Sequence, residues 1–171
     1  EMRKIYIHDK QKFTFDVSRF TKLQHLGGDY WNGLINLDKA YSLTSLVICK
    51  YPFPNLVQFS ALRNLEILHI YGSKIQNLDG VEKLSIRELS LARNNKLDDI
   101  HKINEVSSLE NLEIECCKKL LDFSFLKDNS YIEDLFIDKL DSIDFVESMP
   151  NLKKINFWNC KDGNMTPLLK S

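Results

Sequence analysis

The sequence predicts a solenoid of the α/β class, with a curved parallel β-sheet on its concave side and short 3₁₀ or irregular return segments on its convex side. Three observations lead there. The 171 residues include 25 Leu, 15 Ile and 14 Asn, nearly a third of the chain in three residue types. The leucines recur in blocks at a spacing of 20–23 residues, the mark of a repeat architecture. A second apolar series follows each block at intervals close to three.

The blocks read L-x-x-L-x-L. They occupy residues 43–48, 65–70, 86–91, 109–114, 132–137 and 152–157. Their anchors, Leu46, Leu68, Leu89, Leu112, Leu135 and Ile155, are 22, 21, 23, 23 and 20 residues apart. Two degenerate copies lie upstream. Leu23-Gln24-His25-Leu26-Gly27-Gly28 puts Leu26 20 residues before Leu46, and Ile5-Tyr6-Ile7 begins 21 residues before Leu26. About eight repeats therefore account for residues 1–171 as a single domain, with none left for a second. The motif and its period resemble the leucine-rich repeat family, closest to its short bacterial type. The resemblance covers essentially the whole chain, most strongly residues 43–157.

Within each block the two residues of L-x-L point the same way, because side chains alternate along a strand. They enter the core and the residue between them faces out. One repeat cannot bury its apolar face alone, so stacking must do it. Eight strands at ~4.8 Å spacing give a sheet roughly 34 Å across. The returns carry Ile75, Leu78, Val81 and Leu84; Leu97, Ile100, Ile103, Val106 and Leu109; and Leu140, Ile143, Val146, Met149 and Leu152. That period of about three suits 3₁₀ turns better than long α-helices. Phe13, Phe15, Val17 and Phe20 read as an aromatic version of the same inner layer. The family often places Asn or Cys three residues after the last strand leucine. Here Asn94, Cys117 and Cys160 hold that place, but Tyr51 and Ser73 interrupt it, so looser turns and uneven curvature are expected in the first half. Residues 160–171 read as an incomplete ninth return that caps the C-terminal edge. At the other end Arg3-Lys4 guards the edge by charge or the native chain continues upstream, and Glu1 ahead of Met2 reads as a tag remnant.

Charge and cysteine content narrow the function. The net charge is −1, with no Lys or Arg run longer than two, which argues against a nucleic-acid partner. No apolar run approaches the ~18 residues of a membrane span. The N-terminus lacks the ~7–15-residue apolar stretch of a signal peptide. Cys49, Cys116, Cys117 and Cys160 include a vicinal pair and no C-x-x-C, which reads as reduced thiols in a cytoplasmic protein. The same reasoning discounts the glycosylation sequon Asn164-Met165-Thr166. Phosphate loops, nucleophile elbows and zinc-protease motifs are absent from the sequence. His8, His25 and His69 fall on the first, second and fourth strands, too far apart to share one metal ion. A Cys49–His69 nucleophilic pair is conceivable one strand apart, but no orienting carboxylate is evident. No catalytic residues, metal or cofactor are expected.

The outward positions carry the functional expectation, because partners of this family bind the concave face. The first half shows Lys4, Tyr6 and His8; His25, Asp29, Tyr30 and Trp31; Ser45, Val47 and Cys49; and Ile67, His69 and Tyr71. The second half places Glu88, Glu113, Glu115, Asp134 and Asp138 on adjacent strands, with Arg93 among them and Phe136 and Trp158 at the flank. Like charges on neighbouring strands are unfavourable by some tenths of a kcal/mol each, which a basic partner would offset. Aromatic residues beside charge are typical interface anchors. Exposed carboxylates also simply keep a sheet face soluble. The expected contact set is Glu88, Arg93, Glu113, Glu115, Asp134, Phe136, Asp138 and Trp158, with Tyr71 and His69 beside it. Tyr6, Tyr30 and Tyr71 form a possible second cluster.

The function expected is non-catalytic recognition of a protein with a basic surface, by a monomer or in a 1:1 heterocomplex. A stoichiometric inhibitor, such as a bacterial immunity protein neutralising a basic toxin, is the concrete version. Its Ile, Lys and Asn richness suits an AT-rich bacterial genome. The alternatives are a surface or secreted adhesion module of internalin type, and the substrate-recognition region of a larger enzyme.

Overall fold

In a computed structural model that describes residues 2–8 and 12–170, the chain forms ten strands and eight short 3₁₀ turns. Glu1 lies outside the described residues. The strands are β1 (Lys4–Ile7), β2 (Phe15–Asp16), β3 (His25–Asp29), β4 (Leu34–Ile35), β5 (Ser45–Cys49), β6 (Ile67–Tyr71), β7 (Glu88–Ala92), β8 (Asn111–Glu115), β9 (Asp134–Leu140) and β10 (Lys154–Cys160). Eight of them make one parallel sheet in the order β1-β3-β5-β6-β7-β8-β9-β10. β2 and β4 pair separately, in the returns of the first two repeats. The eight-repeat leucine-rich solenoid is therefore the observed fold. Its convex side carries 3₁₀ turns and no α-helix among the described residues, and no helix is long and apolar enough to cross a membrane.

The anchors stack in register. Leu26 pairs with Leu46, Leu46 with Leu68, Leu68 with Leu89, Leu89 with Leu112, Leu112 with Leu135, and Leu135 with Ile155. Ile5 of the first degenerate copy pairs with Leu26. The inward residues two positions on, Ile48, Ile70, Leu91, Ile114 and Ile137, form a second buried row. Each fully buried Leu or Ile contributes about 1.5–3 kcal/mol. The second degenerate copy carries Gly28 at this inward place, with φ +137. A Cβ there would fall 1.7 Å from the Ile7 carbonyl oxygen, so only glycine lets β3 approach β1. The return series closes the core from the other side, with Ile75, Leu78, Val81, Leu97, Ile100, Ile103 and Ile143 at most 1% exposed.

Two features of the turns correct the sequence expectation. The ladder is not interrupted at Ser73. The buried Asn94 amide donates to the Ile70 carbonyl at 2.8 Å, and its Oδ1 accepts from the Ser73 N–H at 2.9 Å. Ser73 Oγ in turn accepts from the Tyr51 N–H at 3.0 Å. Serine thus carries the ladder on, and Tyr51, with no exposed surface, fills its place as a core aromatic against Tyr30, Phe53 and Phe59. Trp31 occupies the equivalent place in the second repeat, five residues after Leu26. It is 8% exposed and donates Nε1–H to the Phe13 carbonyl at 2.9 Å, so it belongs to the core and not to the concave surface. Phe13 is itself 49% exposed and packs against Trp31 from outside, while Val17 is buried and Phe15 and Phe20 stack half-buried.

A second periodic series fixes the returns. Asn55, Asn77, Asp99, Asp122, Ser142 and Asn164 each accept, through a side-chain oxygen, the backbone N–H two residues on. Such Asx and Ser turns supply partners for N–H groups at the start of the 3₁₀ turns, or, for Asn77, two residues ahead of one. In the last repeat Thr166–Leu169 continues the convex layer beside Asp144–Ser148, and Lys170 pairs with Glu147 at 3.2 Å. Ile155 and Phe157 of β10 remain only half-buried.

Two outcomes follow from these turns. Asn94→Ala leaves the buried Ser73 N–H without an acceptor and should cost ~1–3 kcal/mol in urea denaturation. The second concerns acid. The backbone N–H of His101 holds the Asp99 carboxyl below its ordinary 3.8, and that of Ser124 does the same for Asp122. The native state therefore binds protons less readily than the unfolded chain. This contribution is present above about pH 4 and is lost as pH falls through the lowered native values. Asp99→Asn with Asp122→Asn keeps both caps and should flatten the fall in stability between about pH 4 and pH 2.

Candidate functional site

Register determines what shares the concave face. One row, a position before the anchors, runs Lys4, His25, Ser45, Ile67, Glu88, Asn111, Asp134, Lys154. The next runs Tyr6, Gly27, Val47, His69, Ser90, Glu113, Phe136, Asn156. A third, at the C-terminal ends of the strands, includes Cys49, Tyr71, Ala92 and Glu115. The sequence-derived contact residues thus lie on contiguous strands, β6 to β10. The structure sorts them into committed and uncommitted charges.

Glu88 is committed. Its Oε1 lies 2.6 Å from His69 Nε2, across β6 and β7. His69 Nδ1 lies 3.1 Å from the Tyr71 hydroxyl, which is 3.4 Å from Ser90 Oγ. Burial pushes the Tyr71 phenol up from its ordinary value, and the Glu113 and Glu88 carboxylates add to the shift. Tyr71 therefore stays a neutral hydroxyl. Asp134 is also committed, with Oδ2 2.7 Å from Lys154 Nζ. Lys154, outside the expected contact set, thus brings a second cation besides Arg93 to the carboxylates.

Asp138 is misplaced by the alternation argument. It is 6% exposed, and its Oδ2 accepts the Cys116 N–H at 2.8 Å. The physical reason is a divergence of strands. After Tyr71 the Gly72 N–H reaches the Ala92 carbonyl, and after Ala92 the Arg93 N–H reaches that of Glu115. The β8–β9 ladder ends instead at Ile114–Ile137, while β9 continues to Leu140. The Asp138 side chain takes the place of the next carbonyl. Lys50, Gly72, Arg93 and Cys116 all turn with φ near +55 at the same place in their repeats, four residues past the anchor. Arg93 is exposed there, with its backbone N–H on the Glu115 carbonyl.

Glu113 and Glu115 remain. Neither forms an ion pair among the described residues, and Glu113 is exposed. Glu113 is the register partner of Phe136. Phe136 meets Trp158 edge to face at 5.4 Å and 77°, and Trp158 is 68% exposed. Glu88, Asn111, Glu113, Asp134, Phe136 and Lys154, with Leu89 and Leu112, line an open hollow of about 270 Å³. The second tyrosine cluster does not assemble. Tyr6 is exposed on β1, Tyr30 packs against Tyr51 and Phe53, and Tyr71 belongs to the His69 network.

This face presents carboxylates, a lysine and an aromatic pair to solvent. Among the described residues no three His, Cys, Asp or Glu side chains converge as metal ligands do. All four cysteines are free. Burial raises the Cys49 thiol, and Asp29 raises it further; burial pushes Cys117 up to about 11. Both are thus poor nucleophiles at neutral pH.

No protein-family model matches the chain, and no characterised relative matches it by sequence. Solved structures do. An internalin (inlF) from Listeria monocytogenes superposes with a TM-score of 0.78 over 99% of this chain at 17% identity. The chain spans 51% of that protein's length. An internalin C2 (inlC2) from the same organism gives a TM-score of 0.58 over 89% of this chain and 80% of its own, at 16% identity. By fold the chain is a leucine-rich repeat protein, similar to internalins.

The division between structural and uncommitted carboxylates is measurable. Asp138→Ala should lose ~1–3 kcal/mol in chemical denaturation, because the Cys116 N–H loses its acceptor. Glu113→Gln should stay within about 0.5 kcal/mol of wild type.

Proposed function

We propose that the chain is a non-catalytic recognition module that binds a protein with a basic surface through strands β6 to β10 of its concave face. The carrying observation is the pair Glu113 and Glu115, carboxylates without counter-ions, beside the edge-to-face pair of half-buried Phe136 and exposed Trp158. Uncompensated charge raises the rate of encounter with an opposite surface, and large aromatic side chains supply the buried anchors that hold it. Glu88, His69 and Tyr71 shape the surface through their mutual bonds and Asp134 through its pairing with Lys154, and Arg93 stands at the rim. Asp138 supports the scaffold.

A stoichiometric inhibitor is the specific form we favour, such as a bacterial immunity protein that covers the working surface of a basic toxin in the cytoplasm. Nearly all of the chain is scaffold, and the free thiols suit a reducing compartment. The likeness to internalins favours a second reading, a surface or secreted adhesion module. The flanking reading frame separates the two, since the second requires an export signal and an anchor.

The first test is capture from the source cell by wild type and by Glu113→Lys/Glu115→Lys/Trp158→Ala. Loss of two uncompensated charges and one aromatic anchor should weaken the complex at least about tenfold. Equal recovery of the same partner by both chains would refute the concave-face reading. For the inhibitor form, the recovered partner should lose activity at one equivalent of the chain.

A further inference from the structure

We propose that the hollow on this face receives an arginine side chain of the partner, its guanidinium paired with the Glu113 carboxylate and laid against the Phe136 ring. The inference rests on the reading of the face as a surface for a basic protein, and it names the group that anchors that protein.

Charge complementarity selects the occupant. Three carboxylates and one ammonium line the hollow. Glu88 is bonded to His69, and Asp134 is neutralised by Lys154. Glu113 stands between them, exposed and without an ion pair among the described residues. Glu113, on β8, is thus the carboxylate of the hollow that has neither an ion pair nor a bonded imidazole among the described residues. Its in-register neighbour on β9 is the ring of Phe136, held by Trp158. Register partners on adjacent strands lie ~4.8 Å apart, so one planar cation spans the carboxylate and the ring together. The Asn111 amide adds a neutral polar group to the same wall.

Arginine suits this pair better than lysine. A guanidinium forks two N–H donors onto a carboxylate and stacks on an aromatic face. An ammonium is a compact, strongly hydrated charge that gains less from the ring. The hollow, about 270 Å³ and open to solvent, has room for a side chain presented by a partner. The surrounding carboxylates oppose an anion.

The test uses two blocked tripeptides, Ac-Gly-Arg-Gly-NH₂ and Ac-Gly-Lys-Gly-NH₂, titrated at low salt into the full ¹⁵N-labelled chain. The amide signals of Asn111, Glu113 and Phe136 are followed. Both peptides should shift them, with the arginine peptide binding about threefold or more tightly, as cation–π contact adds to the ion pair. Glu113→Gln should abolish that preference and weaken the arginine peptide several-fold. Phe136→Leu should abolish the preference while leaving lysine binding in place. Equal affinity of the two peptides, with shifts still on this face, overturns the arginine anchor and leaves the basic-partner reading standing. Shifts that avoid the face for both peptides overturn both.

Discussion

Everything in this molecule depends on the in-register stacking of parallel strands. A single repeat presents two inward apolar side chains and a short return, which cannot close a core. Burial comes only when Leu46 sits on Leu68 and Leu68 on Leu89, with the returns stacked in step on the far side. That requirement sets the spacing of 20–23 residues, because each strand must return to the same place above its predecessor. It also sets the surface. Once the anchors are aligned, the residues beside them form rows across the sheet, and a charge on one strand faces whatever the next strand carries in that row. Glu88 meets His69 obliquely and Glu113 meets Phe136 directly, because Leu68, Leu89, Leu112 and Leu135 are fixed in line.

The same constraint explains what was legible beforehand. The strands were readable because burial selects apolar residues at fixed intervals. All eight anchors, including Ile5 and Leu26 in the degenerate copies, pair as the spacing requires. The 3₁₀ returns were readable from an apolar period near three. Trp31 was not, although it stands five residues after its anchor like Tyr51 and Asn94, because outward alternation was carried one step past the strand end. The series Asn55, Asn77, Asp99, Asp122, Ser142 and Asn164 was visible as a period of 20–23 residues, but its residue types vary and hide it. What unites them is a side-chain oxygen in reach of an N–H two residues on.

The layout of the concave face was legible in the sequence more than its ion pairing. Nine of its ten expected residues fall on or at the rim of one contiguous surface, and the tenth, Asp138, turns inward where β8 and β9 part. Sequence counts five carboxylates. It does not show that His69 and Lys154 answer two of them, since those bonds depend on side-chain reach across strands. The uncompensated part reduces to Glu113 and Glu115, one beside an aromatic ring. A net charge of −1 averages over this distribution and conceals it. The narrowing makes the proposed function sharper, because two unpaired carboxylates, one of them beside an aromatic pair, are a more selective target than a diffuse acidic field.

The proposed contact surface on β6 to β10 is assembled by register. The most direct measurement is hydrogen exchange of the chain alone and in complex with its captured partner, read by mass spectrometry at peptide resolution. Protection on binding should concentrate in the strand peptides carrying Glu88, Glu113, Phe136 and Trp158, leaving the 3₁₀ returns at 81–83, 101–105 and 124–126 unchanged. Protection confined to those convex returns, with the strands unaffected, would contradict the account.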